Sequence, residues 1–279
     1  MKQKLLITDD IIQQLYATGL SCQKIANKLN CSESYISKKL KSLNITKRSN
    51  SIYRKRPWNE NFFNVIDTEE KAYWLGFLYA DGCVHDKPKG QKLITLCVKD
   101  KEVIEKFIKS IDGDFAVKQY NDVYGIYLTS KIMFNDLCKL GCVPRKSLNL
   151  EFPNINNDYI NHFIRGYFDG DGSIFTCNPK NYSNTSTIYT SIGIGICGTY
   201  EMLSVLSNHA PINFPKKDKR KLGNIWYSST SGTNKALLFY NYLYNDATIW
   251  LDRKKNKFEN YFKERGSETT ISHPTGVKV

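Results

Sequence analysis

The chain has 279 residues, of which 41% are hydrophobic, enough for a packed core in one large domain or in a small domain plus a larger one. No apolar run is as long as a membrane span and no signal peptide is apparent, so we expect an intracellular protein without a membrane partner. The eight cysteines lack metal-type spacing, which argues against a structural zinc site. The net charge of +13 favours a polyanionic partner, and eight of the thirteen excess positive charges lie in the first 60 residues.

Three short helices are predicted between residues 8 and 45. Thr8, Ser21 and Ser32 each precede a helical pattern and are suitable N-caps. The apolar residues on one face of these helices recur at helical spacing: Ile25, Ala26, Leu29, Ile36, Leu40 and Leu43. The pattern resembles a helix-turn-helix with residues 32–43 as the recognition helix, and the alternative is a three-helix scaffold with a solvated lysine face. The side chains that would meet the major groove or its phosphates are Ser34, Tyr35, Lys38 and Lys39.

A polar, basic segment separates this module, residues 1–46, from the rest of the chain. Residues 47–60 are predicted to be a linker that tracks a nucleic-acid backbone or lies in a minor groove, with a flexible tether as the alternative. The basic residues that would contact the backbone are Lys47, Arg48, Arg54, Lys55 and Arg56.

Two stretches, residues 74–82 and 164–172, repeat one pattern. Each is an apolar run with small residues four apart, Gly76 and Ala80 in the first and Gly166 and Gly170 in the second. Residues four apart share one face of a helix, so these stripes predict two helices that approach backbone to backbone. The bulky residues expected to face the surrounding cores are Trp74, Phe77, Leu78, Tyr167 and Phe168. The glycine that follows each terminal acid, Gly82 or Gly172, is typical of a left-handed helix cap.

The terminal acids of the two stretches, Asp81 and Asp171, are 90 residues apart. Each lies where the local electrostatics disfavour a negative charge. A carboxylate at a helix C-terminus is unfavourable to the macrodipole, and two adjacent carboxylates repel each other. A divalent cation between them would relieve both effects, and oxygen ligands suit Mg²⁺. The simpler alternative is a solvated acid at the end of a core helix. A calcium loop beginning at Asp169 is excluded, because its sixth and twelfth positions are Ile174 and Lys180.

The pair resembles the two signature helices of a single-chain LAGLIDADG homing endonuclease, over about residues 60–265. The resemblance implies an α+β fold in which two pseudo-symmetric αββαββα repeats form a DNA-binding saddle, beside the small all-α helix-turn-helix domain. It implies that Asp81 and Asp171 bind the catalytic metal, Mg²⁺ or another divalent cation such as Mn²⁺. The first copy departs from the family pattern at Trp74 and Tyr79, but neither departure affects the metal-binding acid.

The predicted repeats span residues 61–153 and 154–265, and residues 266–279 are predicted to be a flexible tail or a crossover arm. After each motif, strands and helices follow in the same order. The predicted strands are residues 92–98, 115–120, 124–129, 187–197 and 226–229, and the predicted helices are residues 101–111, 133–140, 201–210 and 234–244. Strand residues that could contact DNA are Lys92, Lys118, Gln119, Tyr120, Lys216, Lys217, Lys219 and Lys221, although each is equally suited to ordinary surface.

The resemblance also implies a catalytic lysine in each repeat that reaches the central pocket through water, near the scissile phosphate. These are Lys146 and Lys254, with Lys255 as the alternative in the second repeat. Asp100 and Thr199 would organise the surrounding water, and capping of the next helix is the alternative role for both.

The resemblance predicts a homing endonuclease that makes a metal-dependent double-strand break in a long asymmetric DNA target and leaves short 3′ overhangs. It would act in intron homing or in another mobile genetic element, as a monomer that behaves as a pseudo-dimer. An RNA-splicing maturase and a non-cleaving DNA-binding regulator of the same fold are the alternatives. An intein domain and an α/β enzyme that does not act on nucleic acid are less consistent with the motifs.

Overall fold

The computed structural model describes residues 7–47, 58–177, 191–219 and 224–265, and the chain divides into two compact units at residues 57 and 58. This division falls within the predicted linker. Among the predicted DNA contacts, Arg48, Arg54, Lys55, Arg56 and Lys221 lie outside the described residues, as do the side chains of Lys216, Lys217 and Lys219 and the tail.

The first unit contains the three predicted helices. They are α1 (Asp9–Ala17), α2 (Cys22–Leu29) and α3 (Glu33–Ser42). Each begins at the predicted cap, because the side chains of Thr8, Ser21 and Ser32 accept hydrogen bonds from backbone N–H groups of the first turn. The buried core of the unit consists of Ile12, Tyr16, Ile25, Ala26, Leu29, Ile36 and Leu40. The three predicted helices are therefore confirmed.

The second unit contains the predicted double repeat. The first half is α4 (Glu69–Ala80), β1 (Gly82–Lys87), β2 (Gln91–Val98), α5 (Lys101–Ser110), β3 (Lys118–Tyr120), β4 (Val123–Thr129) and α6 (Lys131–Lys139). The second half is α7 (Ile160–Asp171), β5 (Ser173–Cys177), β6 (Ser191–Gly198), α8 (Tyr200–His209), β7 (Lys216–Lys219), β8 (Trp226–Ser231) and α9 (Thr233–Tyr244), followed by α10 (Asp252–Glu264). Both sheets are antiparallel, with equivalent strand orders β1-β2-β4-β3 and β5-β6-β8-β7. The predicted αββαββα order is confirmed in both halves.

The small-residue faces of α4 and α7 pack directly against each other. A Cβ atom on Gly76 would lie 2.8 Å from the backbone nitrogen of Tyr167, and one on Gly166 would lie 2.9 Å from that of Phe77. Carbon atoms do not approach this closely, so any larger residue would push the helices apart. The predicted backbone-to-backbone contact is confirmed. The bulky residues of both motifs are buried in the common core: Trp74, Phe77, Leu78, Tyr167 and Phe168.

The predicted left-handed caps are wrong. Gly82 is the first residue of β1, and Gly172 has φ −71° and ψ 153°, so neither adopts positive φ. Both glycines are required for space, since a Cβ atom would lie 2.6 Å from Cδ2 of Leu78 in the first motif and 2.5 Å from Cε2 of Phe168 in the second. The chain passes from each motif helix directly into a strand, β1 or β5, for which the αββαββα prediction gave no residue range.

One other element prediction needed correction, because the strand predicted for residues 115–120 forms only at 118–120. The helix α10, after Leu251, was not predicted. None of the helices in the described ranges is long and apolar enough to cross a lipid bilayer.

Candidate active site

The two motif acids meet at one end of the α4–α7 pair. Asp81 follows α4 as its C-cap residue, and Asp171 is the last residue of α7. Oδ2 of Asp81 lies 3.2 Å from the position that a Cβ atom on Gly170 would occupy, so the first acid reaches the residue next to the second. The charge of Asp81 also raises the pKa of Asp171. The predicted convergence of the acids is therefore present in the structure.

The ionisation of both acids is shifted by their surroundings. Burial is the largest cause that raises the pKa of Asp171 to about 6, and the charge of Asp81 is the next. Burial also raises the pKa of Asp81. Water reaches both side chains, yet enough protein surrounds each carboxylate to disfavour its charged form. Two carboxylates held this close together favour positive charge beside them.

A buried lysine from each half faces this pair. Lys146 and Lys254 are only 6% and 5% exposed. Nζ of Lys146 donates to the carbonyl of Gly82, and Nζ of Lys254 donates to the carbonyl of Phe168 and, at 3.0 Å, to that of Gly170. These carbonyls lie at or just beyond the C-terminal ends of the motif helices, and that of Phe168 also accepts from the backbone nitrogen of Gly172 at 2.8 Å. Burial lowers the pKa of Lys254 to about 8, although nearby carboxylates oppose the change.

The charges of the two halves interact across the centre. Among the groups that lower the pKa of Asp81, Lys254 has the larger effect and Lys146 the smaller. For Asp171 the order is reversed, so Lys146 has the larger effect. Of the two lysines, the one from the opposite half has the larger effect on each acid, so the four groups belong to one shared centre.

The position of Lys255 separates it from this centre. Its Nζ lies 3.6 Å from the centroid of the Trp250 ring and 4.0 Å from a carboxylate oxygen of Glu259. Lys254, by contrast, points at the end of α7. Of the two lysines considered for the second repeat, only Lys254 contacts the motif.

A pocket of about 530 Å³ opens beside Asp81 and includes two groups that the sequence left unassigned, Cys97 and Arg253. Nε of Arg253 donates to Oδ2 of Asp100 at 2.8 Å, and the charge of Asp100 raises the pKa of Asp81. Asp100 therefore lies at the edge of the centre, where it is also the N-cap residue of α5. Gly82 pairs with Leu96, and this register places Asp81, the residue before Gly82, next to Cys97, the residue after Leu96. Cys97 was missed because strand register cannot be read from the sequence.

Thr199 has the capping role. Its side chain is fully buried, accepts a hydrogen bond from the backbone of Met202 at 3.1 Å and donates to the carbonyl of Leu150. The accepted bond caps the start of α8, and the donated bond joins that start to Leu150. The contacts of Thr199 therefore support its alternative role, capping of the next helix.

Strand register shows which side chains share the uncovered face of the first sheet. Lys118 pairs with Gly125, and its Nζ lies 5.0 Å from the centroid of the Tyr127 ring. The ring of Tyr120 lies 6.1 Å from the same ring, and Tyr120 and Tyr127 are 53% and 39% exposed. Lys118, Tyr120 and Tyr127 form a basic, aromatic cluster, of which Tyr127 was not predicted.

Lys92 lies on the opposite face of the same sheet. Its Nζ forms an ion pair with Asp86 at 2.6 Å and lies 4.8 Å from the centroid of the Phe134 ring, a side chain of α6. Lys92 therefore does not share the face that carries Lys118, because alternate residues of a strand point to opposite faces.

In the N-terminal unit, three of the four predicted contact residues are open to solvent. Ser34, Tyr35 and Lys38 are exposed on α3, as is Lys47 beyond it. Lys39 is half-buried and its Nζ forms an ion pair with Asp9 at 2.9 Å, so this lysine helps to join α3 to α1.

Within the described ranges, no group of three or more His, Cys, Asp or Glu side chains is arranged to hold a metal ion. A cation at the centre would therefore have Asp81 and Asp171 as its carboxylate ligands and would need water or substrate oxygens for the remaining positions.

Comparison with known proteins identifies the fold. No family model matches the sequence. An uncharacterised protein of Methanocaldococcus jannaschii is 29% identical over 154 residues, which are 50% of this chain and about half, 54%, of the length of that relative. The I-LtrWI LAGLIDADG homing endonuclease bound to target DNA superposes with a TM-score of 0.52 at 12% identity, covering 75% of this chain and 92% of its own. The second unit has the LAGLIDADG homing-endonuclease fold.

Structures of the meganuclease I-SmaMI agree with this result. The complex with uncleavable DNA gives a TM-score of 0.51 at 13% identity and covers 69% of this chain and 88% of its own. A further I-SmaMI structure, with an uncleaved DNA target and calcium ions, gives a TM-score of 0.50 at 14% identity, with 69% and 89% covered. The predicted LAGLIDADG architecture is confirmed at the level of the fold.

Proposed function

We propose that this protein is a DNA endonuclease that hydrolyses one phosphodiester bond in each strand of a duplex. The observation that carries the proposal is the shared centre, in which an acid and a buried lysine from each half converge. The superposed structures are of homing endonucleases with bound DNA, which supports DNA as the partner.

The donor set fits a divalent cation. Mg²⁺ is commonly bound by one or two carboxylates together with waters and substrate phosphates, and the centre offers Asp81 and Asp171. When bound, such a cation polarises the phosphate, lowers the pKa of an attacking water and stabilises the leaving oxygen. Mn²⁺ has the same preference for oxygen and would serve equally.

The chain's own residues would supply orientation and charge. Lys146 and Lys254 are fixed by the carbonyls at the helix ends, so their ammonium groups need little reorganisation to stabilise charge that develops on a phosphate. Asp81 and Asp171 would hold the cation, and Asp100 would keep Arg253 at the edge of the centre. The two halves lie in one chain and share one centre, so the protein would act as a monomer that behaves as a pseudo-dimer.

The uncovered sheet faces would bind the duplex. Lys118 supplies positive charge, and Tyr120 and Tyr127 supply stacking surface and hydroxyl groups on the same face. The N-terminal unit would lengthen the contact as a helix-turn-helix, with Ser34, Tyr35 and Lys38 in the major groove. Phosphate contacts of this kind make binding strongly dependent on salt.

The test is cleavage of a randomised duplex library in the presence of Mg²⁺ or Mn²⁺, with EDTA as the blank. Wild-type protein should select and cut a long asymmetric site, while Asp81→Asn and Asp171→Asn should bind that site without cutting it. Asp67→Asn is the matched control, because it removes an exposed carboxylate near the other end of α4 and should cut normally.

The same assay separates the alternatives. Cleavage that continues unimpaired in either central variant would refute the roles of the acids. Sequence-specific binding by the wild type with no cleavage under any divalent cation would favour a DNA-binding regulator. Stimulation of RNA splicing without DNA cleavage would favour a maturase.

A further inference from the structure

The two motif helices differ at one buried position, which holds Tyr79 in the first half and Asp169 in the second. Each residue lies two positions before the central acid of its own half and is no more than 2% exposed. Despite their different chemistry, both bind the backbone of the segment that carries the lysine of the same half. This shared partnership is the basis of the inference.

In the second half, Asp169 fixes the start of α10. Its Oδ2 accepts a hydrogen bond from the backbone nitrogen of Leu251 at 2.8 Å. Leu251 is the N-cap residue of α10, and its carbonyl accepts from the backbone nitrogen of Lys254 at 3.0 Å. The lysine then returns to the motif through its bonds to Phe168 and Gly170. Hydrogen bonds therefore connect Asp169 to Leu251, Leu251 to Lys254, and Lys254 back to the helix that carries Asp169.

In the first half, Tyr79 fixes the segment that leads to Lys146, but as a hydrogen-bond donor, whereas Asp169 is an acceptor. Its hydroxyl donates to the carbonyl of Leu140, immediately after α6, and lies against Gly141, where a Cβ atom would collide with it. Lys146 follows in the same segment and returns to the motif by donating to the carbonyl of Gly82. An acceptor in one half and a donor in the other thus perform the same task.

Resting on the proposed nuclease function, we propose that Asp169 and Tyr79 are positioning residues, each of which places the lysine of its own half and so controls cleavage of one DNA strand. Neither residue touches the substrate. Loss of the hydrogen bond to Leu251 or Leu140 releases a single lysine segment, while the other half keeps its full set of contacts. A displacement of about 1 Å at a catalytic group can cost about a hundredfold in rate, so the affected strand should be cut tenfold to a hundredfold more slowly.

The experiment measures the two strands separately. A selected target duplex carries a different fluorophore on each strand, and cleavage is followed in single-turnover reactions with saturating protein. Asp169→Ala should slow one strand and Tyr79→Phe should slow the other, while the opposite strand is cut at the wild-type rate in each variant. That unaffected strand reports, in the same molecule, that the protein is folded and bound.

Two further variants separate positioning from general effects. Tyr244→Phe removes a hydroxyl that donates to the other oxygen of Asp169 at 3.0 Å but leaves the bond to Leu251, so both strands should be cut as in the wild type. Asp169→Asn keeps an oxygen that can accept from Leu251 and should restore most of the rate lost in Asp169→Ala.

Several outcomes would overturn the inference. Equal slowing of both strands in Tyr79→Phe, or slowing of the same strand by Tyr79→Phe and Asp169→Ala, would contradict separate control. An Asn variant that is as slow as the Ala variant would show that the bond to Leu251 does not set the rate. If Asp169→Ala does not fold, the Tyr79→Phe and Asp169→Asn results decide. A wild type that cuts neither strand refutes the proposed function instead.

Discussion

Replacement of Asp171 by asparagine should stabilise the free protein at neutral pH, although it should abolish cleavage. Burial and the charge of Asp81 raise the pKa of Asp171 from 3.8 to about 6. An acid with a raised pKa in the folded state binds its proton more tightly there than in the unfolded chain. Folding is therefore penalised above pH 6, where the carboxylate must be charged, and the penalty vanishes below about pH 4.

The size of the effect follows from the shift and from the exposure of the side chain. A rise from 3.8 to about 6 corresponds to about 3 kcal/mol if the charge were fully shielded from water. Because water reaches Asp171, solvent screening reduces this to about 1 kcal/mol. For a domain the size of the second unit, this amounts to a rise of about 2–4 °C in the melting temperature.

The assay is thermal unfolding of wild type and Asp171→Asn at pH 4.5, 6 and 7.5, without divalent cations. The melting temperature of the variant should exceed that of the wild type at pH 7.5, and the gain should shrink as the pH falls. Asp67→Asn is the control and should show no gain, because the bond to Lys71 lowers the pKa of Asp67. A variant that is less stable at pH 7.5, or equally stabilised at every pH, would refute the reasoning.

Three further outcomes are expected. Gly166→Ala should destabilise the protein by about 3 kcal/mol or more in urea unfolding, because its methyl group would overlap the backbone of α4; an unchanged midpoint would contradict the close packing. Lys254→Met should slow DNA cleavage sharply in single-turnover kinetics, whereas Lys255→Met should not, and equal effects would return Lys255 to consideration. Lys118→Gln should reduce the slope of log binding constant against log salt by about one, while Lys92→Gln, on the covered face, should leave it unchanged; the reverse result would place DNA on the wrong face.

The sequence predicted the centre of the molecule better than its edges, for a physical reason. Close packing of two helices requires small residues at fixed helical spacing, so Gly76 and Gly166 predict the contact from the sequence alone. Because the two acids lie at the same ends of these helices, the predicted packing also brings the acids together. Lys146 and Lys254 were predicted as site residues only from the family resemblance, because nothing in the sequence around either lysine indicates that its side chain is buried.

The missed features depend on relations between distant segments. The residues of β1 and β5 could not be assigned because the glycine after each acid is equally typical of a helix cap and of a tight passage into a strand. A shift of one residue in register exchanges the two faces of a sheet, so Lys92 and Lys118 could not be told apart from sequence. The partners of Tyr79 and Asp169 lie 61 and 82 residues away and are backbone groups, which carry no sequence pattern at all.

The charge balance of the centre links cation binding to DNA binding. Asp81 and Asp171 oppose the dipoles of the helices that carry them, and the ammonium groups of Lys146 and Lys254 offset this by binding the carbonyls at the same helix ends. Two negative and two positive side chains leave the free centre close to neutral, so a divalent cation gains little there by itself. A phosphate brings the missing negative charge and further oxygen ligands, so the cation should bind more tightly to the DNA complex than to the free protein. By linkage, DNA should bind more tightly by the same factor when the cation is present.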